Sequence, residues 1–397
     1  MRTTAVVCAR FMQGSLKGDA MQVCCGSNCE PGMYWGGHGQ FQCNSEYPMK
    51  TKQILVYFPG LEQGKLFNPD ARDACLDPFI YLRNRLEELG YALETADDHD
   101  VEECSWVWLW DAVGVYGPPY GLHDIVRLVK STLKSILLGH QVGRRQLYQE
   151  SIRAGLRDRI VLFLFEPPAV RPLNWDPRIH KLFPLIFTWN DSYVDEKKFH
   201  KFCLPLTGWF PDVPDIPYSH RKLLVNISGN KFSSHPRELY TARRETIKYF
   251  EQHYPEQFDL YGTGWNQPRI DQVLFSSYRG TVKHKWDVYP RYRFGLCYES
   301  MCDEPGYITE KLFDCMRAKC VPIYWGAPNV VDYVDVGTFI DRRKFRSNAE
   351  LADFLLSLTE NEYAQYRQAI QAYLRSDRFA AFLPPAFADN VIRVLSL

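Results

Sequence analysis

Three places along the chain combine residue types and spacings suited to a phosphorylated substrate. The first is residues 221–250, where seven cations (Arg221, Lys222, Lys231, Arg237, Arg243, Arg244 and Lys248) face only Glu238 and Glu245. At about 100° per residue, Leu239, Tyr240, Ile247 and Phe250 form one apolar arc of a helix. Arg243 falls inside that arc and Arg244 outside its edge. An inward arginine needs an anion or a buried carboxylate, so a bound phosphate and a structural ion pair both fit. The second place is Tyr307-Ile308-Thr309-Glu310-Lys311 after Gly306, opening a helix that carries Leu312, Phe313 and Met316. Unpaired backbone N–H groups at such an opening attract anions, Lys311 adds a point charge, and Glu310 can accept from sugar hydroxyls. The same residues also read as Thr309 capping the helix with Glu310 at its positive end. The third is Glu166, which ends the apolar run Ile160 to Phe165 and is followed by Pro167 and Pro168. A carboxylate at the carboxyl end of a parallel strand faces the ligand crevice of an open α/β sheet and could act as a general base. On pattern alone, a solvated Glu at a strand end is the favoured reading.

Other signals are weaker. The chain contains neither G-x-x-x-x-G-K-[ST] nor G-x-G-x-x-G, and Gly262-Thr263-Gly264 lacks the third glycine, so a P-loop NTPase or NAD(P) enzyme has little support. Asp97-Asp98-His99-Asp100 is read as an acidic loop rather than a metal site. Cys8, Cys24, Cys25, Cys29 and Cys43, with His38 among them, have no common zinc spacing and are read as reduced thiols.

The elements that must position these residues alternate. Strand patterns at Ile54–Phe58, Trp106–Trp110, Ile160–Phe165 and Leu185–Phe187 are interleaved with helical patterns through Leu82, Leu86 and Leu89 and from Gly121 to Leu138. Pro205, Pro211, Pro214 and Pro217 then mark a linker. The alternation restarts with strands at Lys222–Ile227, Phe258–Tyr261, Arg293–Tyr298 and Val321–Trp325. Helices follow the pattern at Pro236–Tyr254, Thr309–Ala318, Asn348–Leu358 and Glu360–Leu374. This predicts two α/β units with mainly parallel sheets and a cleft between them. The expected divisions are an irregular extension over residues 1–50, a first Rossmann-like domain over 51–217 and a second over 218–397, ending in helices. Lys+Arg 47 against Asp+Glu 47, with 46% hydrophobic and 24% charged residues, excludes a disordered or fibrous chain and gives no global attraction to nucleic acid or anionic membranes. No apolar run is long enough for a membrane-spanning helix and the N-terminus makes a poor signal peptide, so a soluble, cytoplasmic protein is expected.

Three pieces in order are recognisable: Phe294-Gly295-Leu296-Cys297-Tyr298-Glu299-Ser300, Tyr307-Ile308-Thr309-Glu310-Lys311-Leu312, and Val321-Pro322-Ile323-Tyr324-Trp325-Gly326. Together they resemble the signature of the family 10 glycosyltransferases, the α-1,3/4-fucosyltransferases. Asn230 to Pro236 through Arg243, and Phe165-Glu166-Pro167-Pro168 with Phe187-Thr188-Trp189-Asn190, are similar to bacterial-type members. With no anchor legible, a bacterial or viral type is expected. The resemblance implies a GT-B fold with the active site between two Rossmann-like domains, and an inverting transfer of L-fucose from GDP-fucose to an acceptor glycan. The implied linkage is α-1,3 or α-1,4 on GlcNAc or Glc. It implies Glu166 as general base, and Arg243, Glu299, Ser300, Tyr307, Glu310 and Lys311 at the donor, with Arg243 and Lys311 stabilising the GDP leaving group. No metal ligands and no obligatory cofactor are implied, a divalent metal being at most stimulatory. Family members usually carry Asn after the signature Glu, where this chain has the shorter Ser300. The alternatives are a GT-B transferase using another nucleotide sugar and an inactive glycan-binding module.

Overall fold

The structure, a computed structural model, describes residues 52–113, 115, 146–267 and 274–397. The readings placed on residues 1–50, the early cysteines among them, and the helix expected over Gly121–Leu138 lie outside the described residues. Eleven strands among the described residues form two sheets, both parallel throughout. The first has the order β2-β1-β3-β4-β5-β6, from β1 Lys52–Tyr57, β2 Tyr91–Thr95, β3 Trp106–Trp110, β4 Ile160–Leu164, β5 Leu185–Thr188 and β6 Phe199–Lys201. The second has the order β11-β10-β9-β7-β8, from β7 Lys222–Ile227, β8 Phe258–Tyr261, β9 Tyr292–Tyr298, β10 Val321–Trp325 and β11 Ile340–Asp341.

Why these runs become strands is visible in their alternation. Successive strand side chains point to opposite faces. Ile54, Val56, Trp108, Trp110, Val161 and Phe163 accordingly enter one core, and Leu55, Tyr57, Val107, Leu109, Ile160, Leu162 and Leu164 the other. A sheet buried on both faces needs an apolar residue at every position, as parallel sheets show. The first core is closed by helix α1, Asp77–Glu88, through Phe79, Leu82 and Leu86. The opposite core takes Leu147 and Tyr148 from α2, Leu147–Arg153. In the second lobe, α3 Tyr240–His253, α4 Glu310–Arg317, α5 Asn348–Ser357 and α6 Glu360–Tyr373 cover the sheet around one continuous core. These are the two Rossmann-like lobes of parallel sheet and helices expected.

The proline-bearing segment 202–217 runs between β6 and β7 without helix or strand. It is nonetheless anchored: Gly208 N and the Thr207 hydroxyl donate to Asp77 Oδ2 at 2.6 and 3.1 Å, and Leu206 N donates to Phe382 O at 2.8 Å. The final helix α7, Pro384–Leu395, returns to the first lobe, where Phe387, Ala388, Val391 and Leu395 join the core beside α1. Its opening Pro residues occupy the first helical turn, where a missing N–H costs nothing.

The lobes are stitched together near the ends of β5 and β9. Met301 and Tyr307, from the loop after β9, insert into the first lobe's core. Asn190 Nδ2 donates to the buried Glu304 at 2.7 Å, and Glu304 also pairs with Arg237. Asp191 accepts from Lys201 Nζ at 2.5 Å, Tyr333 OH at 2.6 Å and Asn329 Nδ2 at 2.8 Å. Although burial pushes the Asp191 carboxyl up, these three bonds carry it below its ordinary range. Gly306 threads this junction at φ +81°. A Cβ there would lie 2.3 Å from Trp189 O, 2.7 Å from Lys201 Nζ and 2.9 Å from Asp191 Oδ2. Gly306→Ala combines an unfavourable left-handed conformation with overlap against backbone. It is expected to destabilise the protein by more than about 1 kcal/mol, read as a lowered unfolding midpoint in a thermal melt.

Candidate active site

In the first lobe the chemistry sits where β3 and β4 end side by side. Their pairing sets Trp110 against Phe163, so the next residues, Asp111 after β3 and Phe165-Glu166 after β4, emerge together. Asp111 turns at φ +63° and is buried. Its Oδ1 accepts from Phe165 N at 2.8 Å, Glu166 N at 3.1 Å and Asn174 Nδ2 at 2.5 Å. Its Oδ2 faces Arg171 Nε at 3.1 Å. The Glu166 carbonyl is held in turn by Asn174 Nδ2 and Trp175 Nε1, both at 3.0 Å. Trp189 Nε1 donates to Phe165 O at 2.8 Å. Every backbone polar group flanking the Glu166 side chain is thereby fixed, while that side chain is half-buried. Burial first, and the Asp111 charge second, push the Glu166 carboxyl above its ordinary range. Lys231, Lys311 and Arg171 pull the other way.

In the second lobe the site is built at the end of β9 and the start of α4. Glu299 follows β9 and is fully buried. One carboxylate oxygen accepts from Thr309 N at 2.8 Å. The other accepts from the Thr309 hydroxyl at 2.8 Å and lies 3.3 Å from Lys311 Nζ. Burial pushes the Glu299 carboxyl up. Gly326 leaves room for it, since a Cβ there would meet Glu299 Cγ at 2.5 Å and Tyr324 OH at 2.4 Å. Thr309 is the N-cap of α4, so the capping role proposed from sequence holds alongside its bond to Glu299. Lys311 Nζ reaches Thr309 Oγ1 at 2.9 Å and Glu310 at 3.6 Å, and its side chain remains about a quarter exposed. Burial disfavours the Lys311 charge, but Glu310 and Glu299 outweigh it and raise the pKa. Glu310 is half exposed. Burial pushes its carboxyl up, yet Lys311 and Lys285 hold it down to about 2.

Arg243 lies on the inner face of α3 and is buried, as its position in the apolar arc requires. Its Nη2 donates to Glu299 O at 2.9 Å and to Tyr298 O, and the guanidinium lies over the Tyr240 ring. Neither sequence alternative named these carbonyls; the guanidinium is anchored to the strand end that carries Glu299. Arg244, placed outside the arc by helical spacing, is buried too, and its Nη1 donates to Lys231 O at 2.9 Å. The loop at Lys231 covers that side of the helix, which spacing along a single helix does not reveal. Ser300 is buried beside Glu299, and its carbonyl accepts from Leu239 N at 3.0 Å. Tyr307 is buried with its ring 4.7 Å from that of Trp189. Burial raises its hydroxyl pKa, with Glu299 and Glu166 adding to the effect.

The structure therefore brings Arg243, Glu299, Ser300, Tyr307, Glu310 and Lys311 to one end of the second sheet, with Glu166 near enough for its charge to be felt by Tyr307 and for it to feel that of Lys311. The loops also touch directly, with Ser233 Oγ donating to Ala169 O at 2.7 Å. Sequence reasoning missed the collar around Glu166 formed by Asp111, Asn174 and Arg171. The available signal was an acid ending each of two neighbouring strand runs, Trp110-Asp111 and Phe165-Glu166. In the acidic loop, Asp97 Oδ2 accepts from Gln63 N at 2.6 Å and Asp100 Oδ1 from Glu102 N at 3.2 Å. Asp97 thus ties the loop to the turn at Gln63, and Asp100 caps the short turn Val101–Glu103.

Residues 221–377 match the family described as glycosyltransferase family 10 (fucosyltransferase), C-terminal. An alpha-(1,3)-fucosyltransferase of Helicobacter pylori is 32% identical over 83 residues, covering 21% of this chain and 17% of that protein. An alpha-(1,4)-fucosyltransferase of Arabidopsis thaliana is 42% identical over 77 residues, 19% of each. The chain thus spans less than a fifth of the length of either relative. Among solved structures, an alpha1,3-fucosyltransferase with GDP-fucose superposes with a TM-score of 0.48 at 13% identity, covering 90% of this chain and 94% of that one. The part of the chain that matches this family model is the second lobe, with the buried Arg243 and the Glu299–Thr309–Lys311 cluster.

Proposed function

We propose that this chain transfers L-fucose from GDP-fucose, with inversion, to a hydroxyl of an acceptor glycan, GlcNAc or Glc in an α-1,3 or α-1,4 linkage. The observation that carries this reading is the match of residues 221–377 to the fucosyltransferase family model, with the buried Glu299–Thr309–Lys311 cluster inside that stretch. Inverting transfer passes through an oxocarbenium-like state. It needs a base at the acceptor hydroxyl on one face and positive charge at the departing diphosphate on the other. Glu166 supplies the base. Lys311, partly exposed at the start of α4, and Arg243, anchored beside Glu299, supply the charge, and the positive end of the α4 dipole adds to it. Glu299, Ser300, Tyr307 and Glu310 line the fucose and its phosphates.

In this reading the cations are side chains, so no divalent metal is required. The transfer is tested by incubating the protein with GDP-fucose and β-linked GlcNAc acceptors in EDTA, then assigning the product's anomeric configuration by NMR. GDP release and an α-linked fucoside are expected, with a substantial rate kept in EDTA. Complete loss restored only by Mn²⁺ or Mg²⁺ would overturn the metal-free reading, and a β-fucoside would overturn inversion from the β-linked donor.

A further inference from the structure

The mechanism leaves unused one buried acid in direct contact with the base's own backbone. Asp111 sits beyond β3 at φ +63°, 5% exposed, with Oδ1 collecting three donors: Phe165 N, Glu166 N and Asn174 Nδ2. Asn174 is itself fully buried, and its Oδ1 accepts from Ala112 N at 2.8 Å, closing a ring of bonds between the two strand ends. With Oδ2 against Arg171, neither oxygen of Asp111 is left to take a proton from a substrate. Its bonds place it behind the base instead.

We propose that Asp111 is the positioning residue of Glu166, clamping the Phe165-Glu166 backbone at the strand end and setting a second negative charge beside it. The inference rests on Glu166 being the base of the proposed transfer. Two effects follow from one carboxylate. The clamp fixes where the Glu166 side chain starts, because two successive N–H groups share a single acceptor. The charge acts on Glu166 as a like charge does, disfavouring its ionised form. The groups facing Glu166 are Asp111 on the raising side, and Lys231, Lys311 and Arg171 on the lowering side. Tyr307 lies close enough to feel the Glu166 charge. Asp111 is the acid among them whose removal weakens Glu166 as a base.

Asp111→Asn keeps an acceptor oxygen for the two N–H groups and deletes the charge. In a carboxyl-¹³C NMR titration of the whole protein, it is expected to lower the Glu166 pKa by about half a pH unit or more. The acid limb of the kcat/KM profile should move down with it. Asp111→Ala also loses the clamp and should lower kcat further at the pH plateau, with GDP affinity unchanged. A merely structural Asp111 would lower the melting temperature and the rate without moving the Glu166 titration, and that result overturns the proposal. Should the Asp111 variants not fold, Glu166→Gln reads the same coupling in reverse: the Asp111 titration must then move to lower pH, and an unmoved Asp111 overturns the proposal. These titrations need no substrate, so they are separable from the transferase reading, whose own failure would show as absent GDP-fucose turnover with the Asp111–Glu166 coupling intact.

Discussion

Glu166→Gln is expected to cut turnover by at least about 10²-fold while leaving GDP affinity near that of the unaltered protein. The substitution preserves shape, and the backbone on both sides of residue 166 is held by Asp111, Asn174 and Trp175 rather than by the Glu166 carboxylate. What is lost is the ability to take the acceptor's proton as the bond to fucose forms. The pH profile gives a second readout. Burial and Asp111 raise the Glu166 pKa, and the base works only when ionised. Activity of the unaltered protein should therefore fall on acidification through a pKa above the ordinary Glu value. In Glu166→Gln the small residual rate should lack that limb. Normal turnover in the variant would place the base elsewhere. Asp191 is a poor substitute, being committed to Lys201, Asn329 and Tyr333 at the lobe junction.

The second large effect concerns the nucleotide. Lys311→Ala and Arg243→Ala are each expected to weaken GDP binding by about 1.5–3 kcal/mol, the worth of a charge-assisted hydrogen bond. Calorimetric titration would read this as a loss of about 10- to 150-fold. The two variants should differ in stability. Arg243 is buried and bonds the carbonyls of Tyr298 and Glu299, so its removal leaves two buried acceptors unpaired and should also lower the melting temperature. Lys311 is partly exposed, and its removal leaves Glu299 with both of its bonds from Thr309. GDP affinity unchanged in both variants would end their assignment to the donor.

How much of this was legible in the sequence depends on where each residue's partners lie. Trp106–Trp110, Lys222–Ile227, Phe258–Tyr261 and Val321–Trp325 are strands over the stretches expected, because strands buried on both faces carry apolar side chains along most of their length. The strand Tyr91–Thr95 escaped notice because it is a sheet edge, short and partly exposed, with Glu94 and Thr95 in its pattern. The opening prolines of helix Pro384–Leu395 disguise it, although they are compatible with a first turn. Its purpose, covering the first lobe's core, depends on residues some 300 positions earlier in the chain. Arg243 was legible as an inward cation because helical spacing is local. That it grips the end of β9 was not, since those carbonyls are 55 and 56 residues away. The same distance hid Asp111, which meets Glu166 only once β3 and β4 pair.

The most direct test of the central claim is GDP release by the 397-residue chain over a panel of GDP-sugars and acceptor glycans. GDP-fucose is expected to be turned over in an acceptor-dependent way, with GDP-mannose far slower and fucose recovered on the acceptor. Acceptor binding without GDP release from any donor, or turnover confined to a nucleotide sugar other than GDP-fucose, would contradict it.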